Sequence, residues 1–363
     1  MIKVLFTLDY EIHGNGQGDP VELMVAPTNR MLELFDTYGA KLTIMADMAE
    51  IIKFKEYLEQ SGKDKFGYLK IVGQLQQAVI KGHDVQLHIH SSYFNAEYEN
   101  DKWKNCWDDY DLASLPYDRL NNMIRDSKEL LESIIKKVDK DYSCNVFRAA
   151  NWSMIPSKNI VQALKNNCIK VDTSVFKYGR RRGLVNFDYS ECHSNAIPWP
   201  ADENDINIKS ASGDIIEFPI FSESAPVWSF FSLNRMHRAY LSRRHNFKEG
   251  IEHHLNKGNG NFAKKSLVEK MYSKLMTKNA LKADFNQCTG YQLIKQLKRV
   301  EKEYVHAKID VPFITIGHSK LFTTLNKISL KPFLKFVSEN SNKYKFAIFK
   351  DFDLKQYLNL ETK

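Results

Sequence analysis

Short runs of β-branched and aromatic residues alternate with longer helical stretches along almost the whole chain of 363 residues. This alternation predicts parallel strands joined by helices, because a parallel strand pair needs a crossover connection of about a dozen residues or more. Strands are predicted at Lys3–Asp9, Lys41–Ala46, Asp84–His90, Val146–Ala149, Val171–Thr173, Ile215–Pro219, Phe313–Gly317 and Phe346–Lys350. Seven or eight such strands favour one α/β barrel domain over residues 1–363 rather than an open sheet.

The predicted helices fill the intervals between these strands, and two insertions interrupt the pattern. Residues 93–116, rich in Asp, Asn and aromatic side chains, are typical of a long loop, and residues 222–288 form a basic insertion that contains helices. Both follow strands, so we expect them on the face where barrel enzymes build their active sites. Helices are predicted at Pro27–Tyr38, Gly67–Lys81, Tyr117–Val138, Ser157–Asn166, Tyr291–Tyr304 and Lys331–Asn340.

Positive charge is concentrated in the second insertion. The segment from Arg235 to Lys282 carries twelve Lys and Arg against three Asp and Glu, whereas the whole chain has a net charge of +8. Such a field attracts an anionic partner, and the candidate phosphate ligands are Arg235, Arg238, Arg243 and Arg244. The same residues could instead contact an anionic membrane surface, or form only a solvated pair of helices. Nucleic acid is not an expected partner, because no recognised binding module accompanies the charge.

Several features of the sequence are typical of a cytoplasmic protein. It enters a strand pattern at once, which argues against a secretory signal peptide, and no apolar run approaches the ~20 residues that span a bilayer. The five cysteines are scattered without a Cys-x-x-Cys pair, as expected of free thiols in a reducing compartment. We therefore expect a location in the cytoplasm or at the inner face of the membrane.

Two pairs of polar residues lie at the ends of predicted strands. The members of each pair are two residues apart, so both side chains lie on the same face of the strand. Asp9 and Glu11 end the first strand, and His88 and His90 end the third. Carboxylates and imidazoles are ligands that suit zinc, and the carboxyl ends of barrel strands are where catalytic groups lie. These pairs predict one metal site, whereas the plain alternative is polar strand ends that meet solvent and histidines that serve only the structure.

The order of the motifs resembles that of the polysaccharide deacetylases of carbohydrate esterase family four, which share NodB homology. GHDVQLHIH at 82–90 is the strongest match, and it is followed in the expected order by RAANW, DTS, EFP and IGHSK. The resemblance runs from about residue 3 to 355 and is greatest to the cytoplasmic branch associated with lipopolysaccharide and surface-glycan biosynthesis. It implies a distorted barrel of the (β/α)7 type and one divalent metal ion, Zn²⁺ or else Mn²⁺, Co²⁺ or Ni²⁺.

The resemblance also implies residue roles. Asp9 falls on the catalytic base, His88 on the first metal histidine and Arg148 on the arginine that orients the base. Asp172 lies where a supporting acid is expected, and His318 matches the histidine that acts as general acid. Trp152 could supply a flat face for a sugar ring, or belong to the core.

Two departures from the family pattern concern the metal ligands. Many members have an aspartate directly after the base, where this chain has Tyr10, and a second metal histidine four residues after the first, where it has Ser92. We predict that Glu11 and His90 take these places, because each lies two residues from its partner on the same strand face. The roles of Asp9 and Glu11 could be exchanged.

The predicted function is that of a metal-dependent hydrolase that removes the N-acetyl group from a sugar carried on a nucleotide or on polyprenyl diphosphate, in surface polysaccharide or lipopolysaccharide biosynthesis. Two alternatives stay open. One keeps the metal site but cleaves another small amide, as a deformylase does. The other is a catalytically inactive barrel that binds glycans or acts as a scaffold, which the departures at Tyr10 and Ser92 allow.

Overall fold

A nine-stranded, mainly parallel sheet forms the centre of the structure, a computed structural model that describes residues 1–14, 16–244 and 279–358, without the side chains of residues 242–244. The strands of this sheet are β1 (Ile2–Tyr10), β2 (Leu42–Asp47), β3 (Asp84–Ile89), β6 (Val146–Ala149), β7 (Val171–Asp172), β10 (Trp199–Pro200), β11 (Ile216–Glu217), β14 (Val311–His318) and β15 (Tyr344–Phe346). The short hairpin strands outside it are β4 (Glu97–Glu99), β5 (Lys102–Lys104), β8 (Arg180–Arg181), β9 (Phe187–Asp188), β12 (Ser222–Ala225) and β13 (Asn279–Lys282).

The strand order is β10-β11-β7-β6-β3-β2-β1-β14, and β15 pairs with the first residues of β1. Every pair in this sheet is parallel except β10 with β11. β1 and β14 are long and almost entirely buried, as is typical of parallel strands that are covered on both faces.

The sheet curls into half a barrel, and irregular backbone continues it towards closure. The Ile220 N–H donates to the carbonyl of Val175 at 2.9 Å, and the Phe221 N–H donates to the carbonyl of Ile314 on β14 at 3.0 Å. The distorted barrel predicted from the sequence agrees with this curvature. The structure does not establish seven β/α units, because β7 and β11 are two residues long and the sheet ends in an antiparallel strand.

The helices pack against the sheet and agree in part with the prediction. They are α1 (Ala26–Tyr38), α2 (Met48–Ser61), α3 (Tyr68–Ile80), α4 (Tyr117–Ile135), α5 (Ser157–Asn166), α6 (Leu233–Arg244), α7 (Gly290–Glu303), α8 (Thr324–Glu339) and α9 (Lys355–Leu358). The sequence reasoning did not predict α2, which begins directly after β2. It also began α8 seven residues late, at Lys331; a capping box at Thr323 starts this helix, and Pro332 lies inside it.

The predicted strand Phe346–Lys350 was wrong in its bounds. The observed strand β15 ends at Phe346, and a 3-10 turn follows at Phe349–Asp351. The Asp351 carboxylate accepts a hydrogen bond from the Ile348 N–H at 2.9 Å, which closes this turn and ends the extended backbone.

The two predicted insertions differ in what the structure describes. Residues 93–116 contain the β4–β5 hairpin and several 3-10 turns. The basic insertion contains β12, α6 and β13, and β12 pairs with β13 in antiparallel register, whereas residues 245–278 lie outside the described part of the chain. Among the residues that are described, none of the helices is long and apolar enough to cross a membrane.

Candidate metal centre and catalytic site

The ends of β1, β2, β3, β6 and β14 bring the predicted site residues together. In the strand register, Asp9 of β1 lies opposite His318 of β14, and His88 of β3 lies opposite both Asp47 of β2 and Arg148 of β6. Because the carboxyl ends of parallel strands share one edge, these polar side chains form a single buried cluster.

Alternation along β1 separates the carboxylates from their neighbour Tyr10. The Tyr10 side chain is fully buried, and its hydroxyl donates to Gln74 Oε1 at 2.7 Å. Asp9 and Glu11 lie on the other side of the strand and are almost completely buried. The site face of β1 therefore carries two carboxylates.

Glu11, His88 and His90 converge on one point. His88 Nε2 lies 3.3 Å and His90 Nδ1 lies 3.1 Å from Glu11 Oε2, and one ligand atom from each of the three residues falls within 4.8 Å of the others. His88 Nδ1 is 2.8 Å from the carbonyl oxygen of Arg148, which can only accept, so this nitrogen carries the proton and leaves Nε2 free to bind a metal. Two imidazoles and one carboxylate fit Zn²⁺ or a similar ion.

Asp47 is a member of this cluster that the sequence reasoning missed. Its Oδ2 lies 2.6 Å from His90 Nδ1, and Asp47, Glu50 and His90 form a second group that could hold a metal. The signal was present, because Asp47 is the polar end of a buried apolar strand, like Asp9 and His88. The predicted second strand ends at Ala46, one residue before the observed end at Asp47, and so leaves Asp47 outside the strand.

Asp9 forms a buried ion pair with Arg148. Arg148 Nη1 donates to Asp9 Oδ1 at 2.7 Å, and Arg148 Nε donates to the Thr173 carbonyl at 2.9 Å, with the guanidinium fully buried. Burial alone would raise the pKa of Asp9, but the charges of Arg148, His88 and His318 outweigh burial and hold that pKa below its ordinary value. Asp9 is therefore a fixed, ionised carboxylate.

Among the described residues, Asp172 forms no hydrogen bond or ion pair with Asp9 or Arg148. Its carboxylate accepts hydrogen bonds from the hydroxyl and N–H of Ser174, at 2.7 and 3.2 Å. It also lies opposite Glu217 in the register of β7 and β11, and burial and the charge of Asp172 raise the pKa of Glu217 well above its ordinary value. Asp172 is thus hydrogen-bonded to Ser174, the residue after Thr173, and the carbonyl of Thr173 accepts the hydrogen bond from Arg148 Nε.

His318 and Lys320 complete the cluster from the end of β14. His318 Nε2 lies 3.5 Å from Asp9 Oδ2, and burial lowers the pKa of His318 more than the nearby carboxylates raise it. Lys320 Nζ lies 2.7 Å from Glu11 Oε1. Burial would raise the pKa of Glu11, but Lys320 and His90 hold it well below its ordinary value. Lys320 lies in the IGHSK motif, although no role for it was predicted from the sequence.

A cavity of about 390 Å³ adjoins this cluster, and Lys320, Asn286 and Arg238 are among the residues that line it. Of the other predicted phosphate ligands, Arg235 lies over the ring of Phe230, 4.8 Å from its centre. The side chains of the remaining two lie outside the described part of the chain; these are Arg243 and Arg244.

Trp152 is half-buried beside the site, but one face of its ring is already occupied. Lys282 Nζ lies 3.4 Å from the ring centre. A sugar could therefore stack only on the other face. Asn151 and Trp152 both have positive φ, 55° and 56°, a backbone strain that is found most often at functional sites.

Comparisons with known proteins give a likeness of fold only. No family model matches the sequence, and no curated protein matches it. A structure named probable polysaccharide deacetylase from Pseudomonas aeruginosa PAO1 is similar over 96% of this chain and 89% of its own, with 12% identity and a TM-score of 0.47.

Two further solved structures show the same level of similarity. PuuE allantoinase aligns over 96% of this chain and 88% of its own, with 11% identity and a TM-score of 0.47. The α-amylase AmyC from Thermotoga maritima aligns over 99% of this chain and 75% of its own, with 11% identity and a TM-score of 0.49. The three names describe different activities, so the likeness itself does not select a reaction.

Proposed function

We propose that this chain is a metal-dependent hydrolase that removes the N-acetyl group from a sugar. The observation that carries the proposal is the buried contact between two parts, the ligand set of Glu11, His88 and His90 and the ion pair of Asp9 with Arg148. Amide hydrolysis needs an electrophile for the carbonyl oxygen and a base for water, and these parts supply both. The order of the sequence motifs supports acetyl as the group removed and a sugar as its carrier.

Each side chain then has a defined task. A divalent ion held by Glu11, His88 and His90, with zinc favoured by the ligand types, would polarise the carbonyl and acidify water. Asp9 takes the proton from the attacking water, because Arg148 keeps its carboxylate ionised and fixed. His318 delivers a proton to the leaving amine, and its position 3.5 Å from Asp9 Oδ2 allows the proton to be passed between them.

We further propose that the sugar is attached to a nucleotide or to polyprenyl diphosphate and belongs to surface polysaccharide or lipopolysaccharide biosynthesis. The support is Arg238 in the wall of the cavity beside Lys320, together with the basic sequence of the insertion around it. Arginine binds phosphate bidentately, and basic residues near a membrane surface each add about 1 kcal/mol of attraction to anionic lipid. Such a substrate would place the enzyme in the cytoplasm or at the inner face of the membrane.

The experiment measures the metal content of the purified protein and acetate release from N-acetylated sugars. His83→Ala is the matched control for His88→Ala, because His83 precedes the same strand but its Nε2 faces Asp36 at 3.2 Å. We expect about one ion per chain in the wild type, in His83→Ala and in Asp9→Asn, and its loss in His88→Ala. Acetate release should persist only in the wild type and in His83→Ala.

Other outcomes select among the alternatives. Acetate release that survives Asp9→Asn would contradict the choice of base. Release of formate from N-formylated counterparts of these sugars, without acetate release from the N-acetylated ones, would favour a deformylase. A protein that binds no metal after incubation with zinc, manganese, cobalt or nickel would favour a catalytically inactive barrel that binds glycans.

A further inference from the structure

Lys282 lies beside the candidate site, yet neither the sequence motifs nor the proposed reaction uses it. It is the last residue of β13, and the chain continues to Phe285, whose N–H donates to the Ile316 carbonyl of β14 at 2.9 Å. The ammonium lies 3.4 Å from the ring centre of Trp152 and 4.4 Å from that of Phe176. The sheet edge and the two rings therefore hold this amine in one place.

Among the described residues, the Lys282 amine forms no ion pair or side-chain hydrogen bond, and the contacts that it does make include two aromatic faces. Burial lowers the pKa of Lys282 to about 7, and the charges of Asp284 and Asp9 oppose this shift only in part. Aromatic faces recover only a part of the hydration that an ammonium loses on burial. A ligand with a negative charge would supply what is missing.

Arg238 is a second cation beside the candidate site. It lines the cavity that Lys320 also borders, and in the described part of the chain its guanidinium forms no ion pair. After burial, the charges of Arg238 and Arg148 also act to lower the pKa of Lys282. Several cations around one site produce a positive field that favours the binding of an anion.

We infer that Lys282 and Arg238 bind an anionic group of the substrate, a carboxylate or a phosphate, next to the amide that is cleaved. This inference rests on the proposed deacetylase function and adds a requirement to it, since a neutral N-acetylated sugar lacks the group that Lys282 needs. A carboxylate would belong to the sugar itself, as in an N-acetylated hexosaminuronate. A phosphate would belong to the carrier, at the anomeric position.

The test compares three probes, methyl N-acetylglucosaminide, N-acetylglucosamine 1-phosphate and N-acetylglucosaminuronate, in the wild type, Lys282→Met and Arg238→Gln. Lys298→Met is the matched control, because Lys298 Nζ also lies over an aromatic ring, 5.2 Å from the centre of Phe336, on the exposed side of α7. We expect the wild type to favour one anionic probe over the neutral one by about 30-fold in kcat/KM. Lys282→Met should abolish most of this preference through KM, and Lys298→Met should keep it.

The anionic probe that the wild type favours identifies the source of the charge. Equal kcat/KM for all three probes in the wild type would overturn the inference and leave the deacetylase proposal standing. A loss of kcat in Lys282→Met that is equal for all three probes would also overturn it, since Lys282 would then take part in the chemistry. Thermal unfolding checks that the variants fold; we expect little loss of stability in Lys282→Met, because a half-buried charge is removed and the methionine side chain can still pack on the two rings.

A binding measurement separates failure of this inference from failure of the proposed function. Calorimetric titration with inorganic phosphate and with glucuronate needs no turnover. If no probe releases acetate, the deacetylase proposal is wrong, but binding of either anion that weakens tenfold or more in Lys282→Met would still support the anion site. Absence of binding by both anions to the wild type would overturn it.

Discussion

The buried pair of Arg148 and Asp9 gives the most direct test of the site's electrostatics. Arg148→Met keeps much of the side-chain volume but removes the guanidinium that lies 2.7 Å from Asp9 Oδ1 and 2.9 Å from the Thr173 carbonyl. The carboxylate would remain buried with its closest counter-charge gone. Breaking a buried ion pair from one side costs about 3–5 kcal/mol, so the free energy of unfolding at pH 8 should fall by that amount.

The pH dependence of this loss follows from the sign of the pKa shift. In the wild type the pKa of Asp9 lies below its ordinary value of 3.8, so the ionised carboxylate stabilises the fold above that pH and the contribution is lost as pH falls through the lower, folded pKa. In Arg148→Met, burial remains while the largest of the charges that lower the pKa of Asp9 is removed, so this pKa should rise. The carboxylate is then neutralised on acidification, so the variant should be less destabilised at pH 5 than at pH 8.

Urea unfolding of four proteins measures both effects: the wild type, Arg148→Met, Asp9→Asn and the double variant. The double variant should be more stable than the sum of the single losses predicts, by about 1–3 kcal/mol, because no buried charge is left unpaired. Arg125→Met is the control, since Arg125 pairs with Asp126 at the surface and its loss should cost about 0.5 kcal/mol or less. If the losses in the free energy of unfolding were additive and independent of pH, the ion pair between Arg148 and Asp9 would not be their cause.

Two further predictions concern the metal. Burial would lower the pKa of His88, but Glu11 and Asp9 outweigh burial and raise it from 6.5 to about 9. The proton on His88 therefore stabilises the metal-free protein fully below pH 6.5. This contribution to stability is lost as the pH rises through 9. Zinc must displace that proton, so the affinity for zinc should rise by about tenfold per pH unit between pH 7 and 9. Chelator-competition titrations measure this affinity. An affinity that does not change with pH would contradict the assignment of His88 as a ligand. Asp47→Asn should weaken zinc binding by about tenfold or more in the same titration, because Asp47 Oδ2 lies 2.6 Å from His90 Nδ1, the nitrogen that faces Glu11, and Asp47 is itself a possible ligand; unchanged affinity would mean that the contact serves only the fold.

The sequence could predict those parts of the site that depend on a single strand. Asp9 with Glu11, and His88 with His90, were recognisable because side chains two residues apart on a strand share a face, and this period needs no knowledge of the rest of the fold. The carboxyl ends of the strands lie at the same end of the barrel, which explains why two separate strands contribute to one cluster.

Contacts between distant segments were not recognisable in this way. Lys282 meets the ring of Trp152 across 130 positions of sequence, and nothing in the basic segment that contains Lys282 distinguishes it from the other lysines there. The pairing of Asp172 with Glu217 depends likewise on the register of two-residue strands, β7 and β11, which no sequence period specifies. The resemblance places Asp172 where a supporting acid is expected, and the structure adds that its carboxylate accepts from Ser174 and lies opposite Glu217 in the strand register.

The departures at Tyr10 and Ser92 are consistent with a functional site, and the direction of the side chains on β1 makes this testable. Position 10 faces the core, where the tyrosine hydroxyl bonds to Gln74, whereas Glu11 faces the histidines. Moving the carboxylate in Tyr10→Asp with Glu11→Ala should therefore not restore metal binding, although it recreates the adjacent pair of the family pattern. Glu11→Asp should retain a weakened site, because the carboxylate stays on the correct face. If the Tyr10→Asp, Glu11→Ala protein bound metal as tightly as the wild type, the strand end would have to rearrange, and the assignment of Glu11 from strand alternation would be wrong.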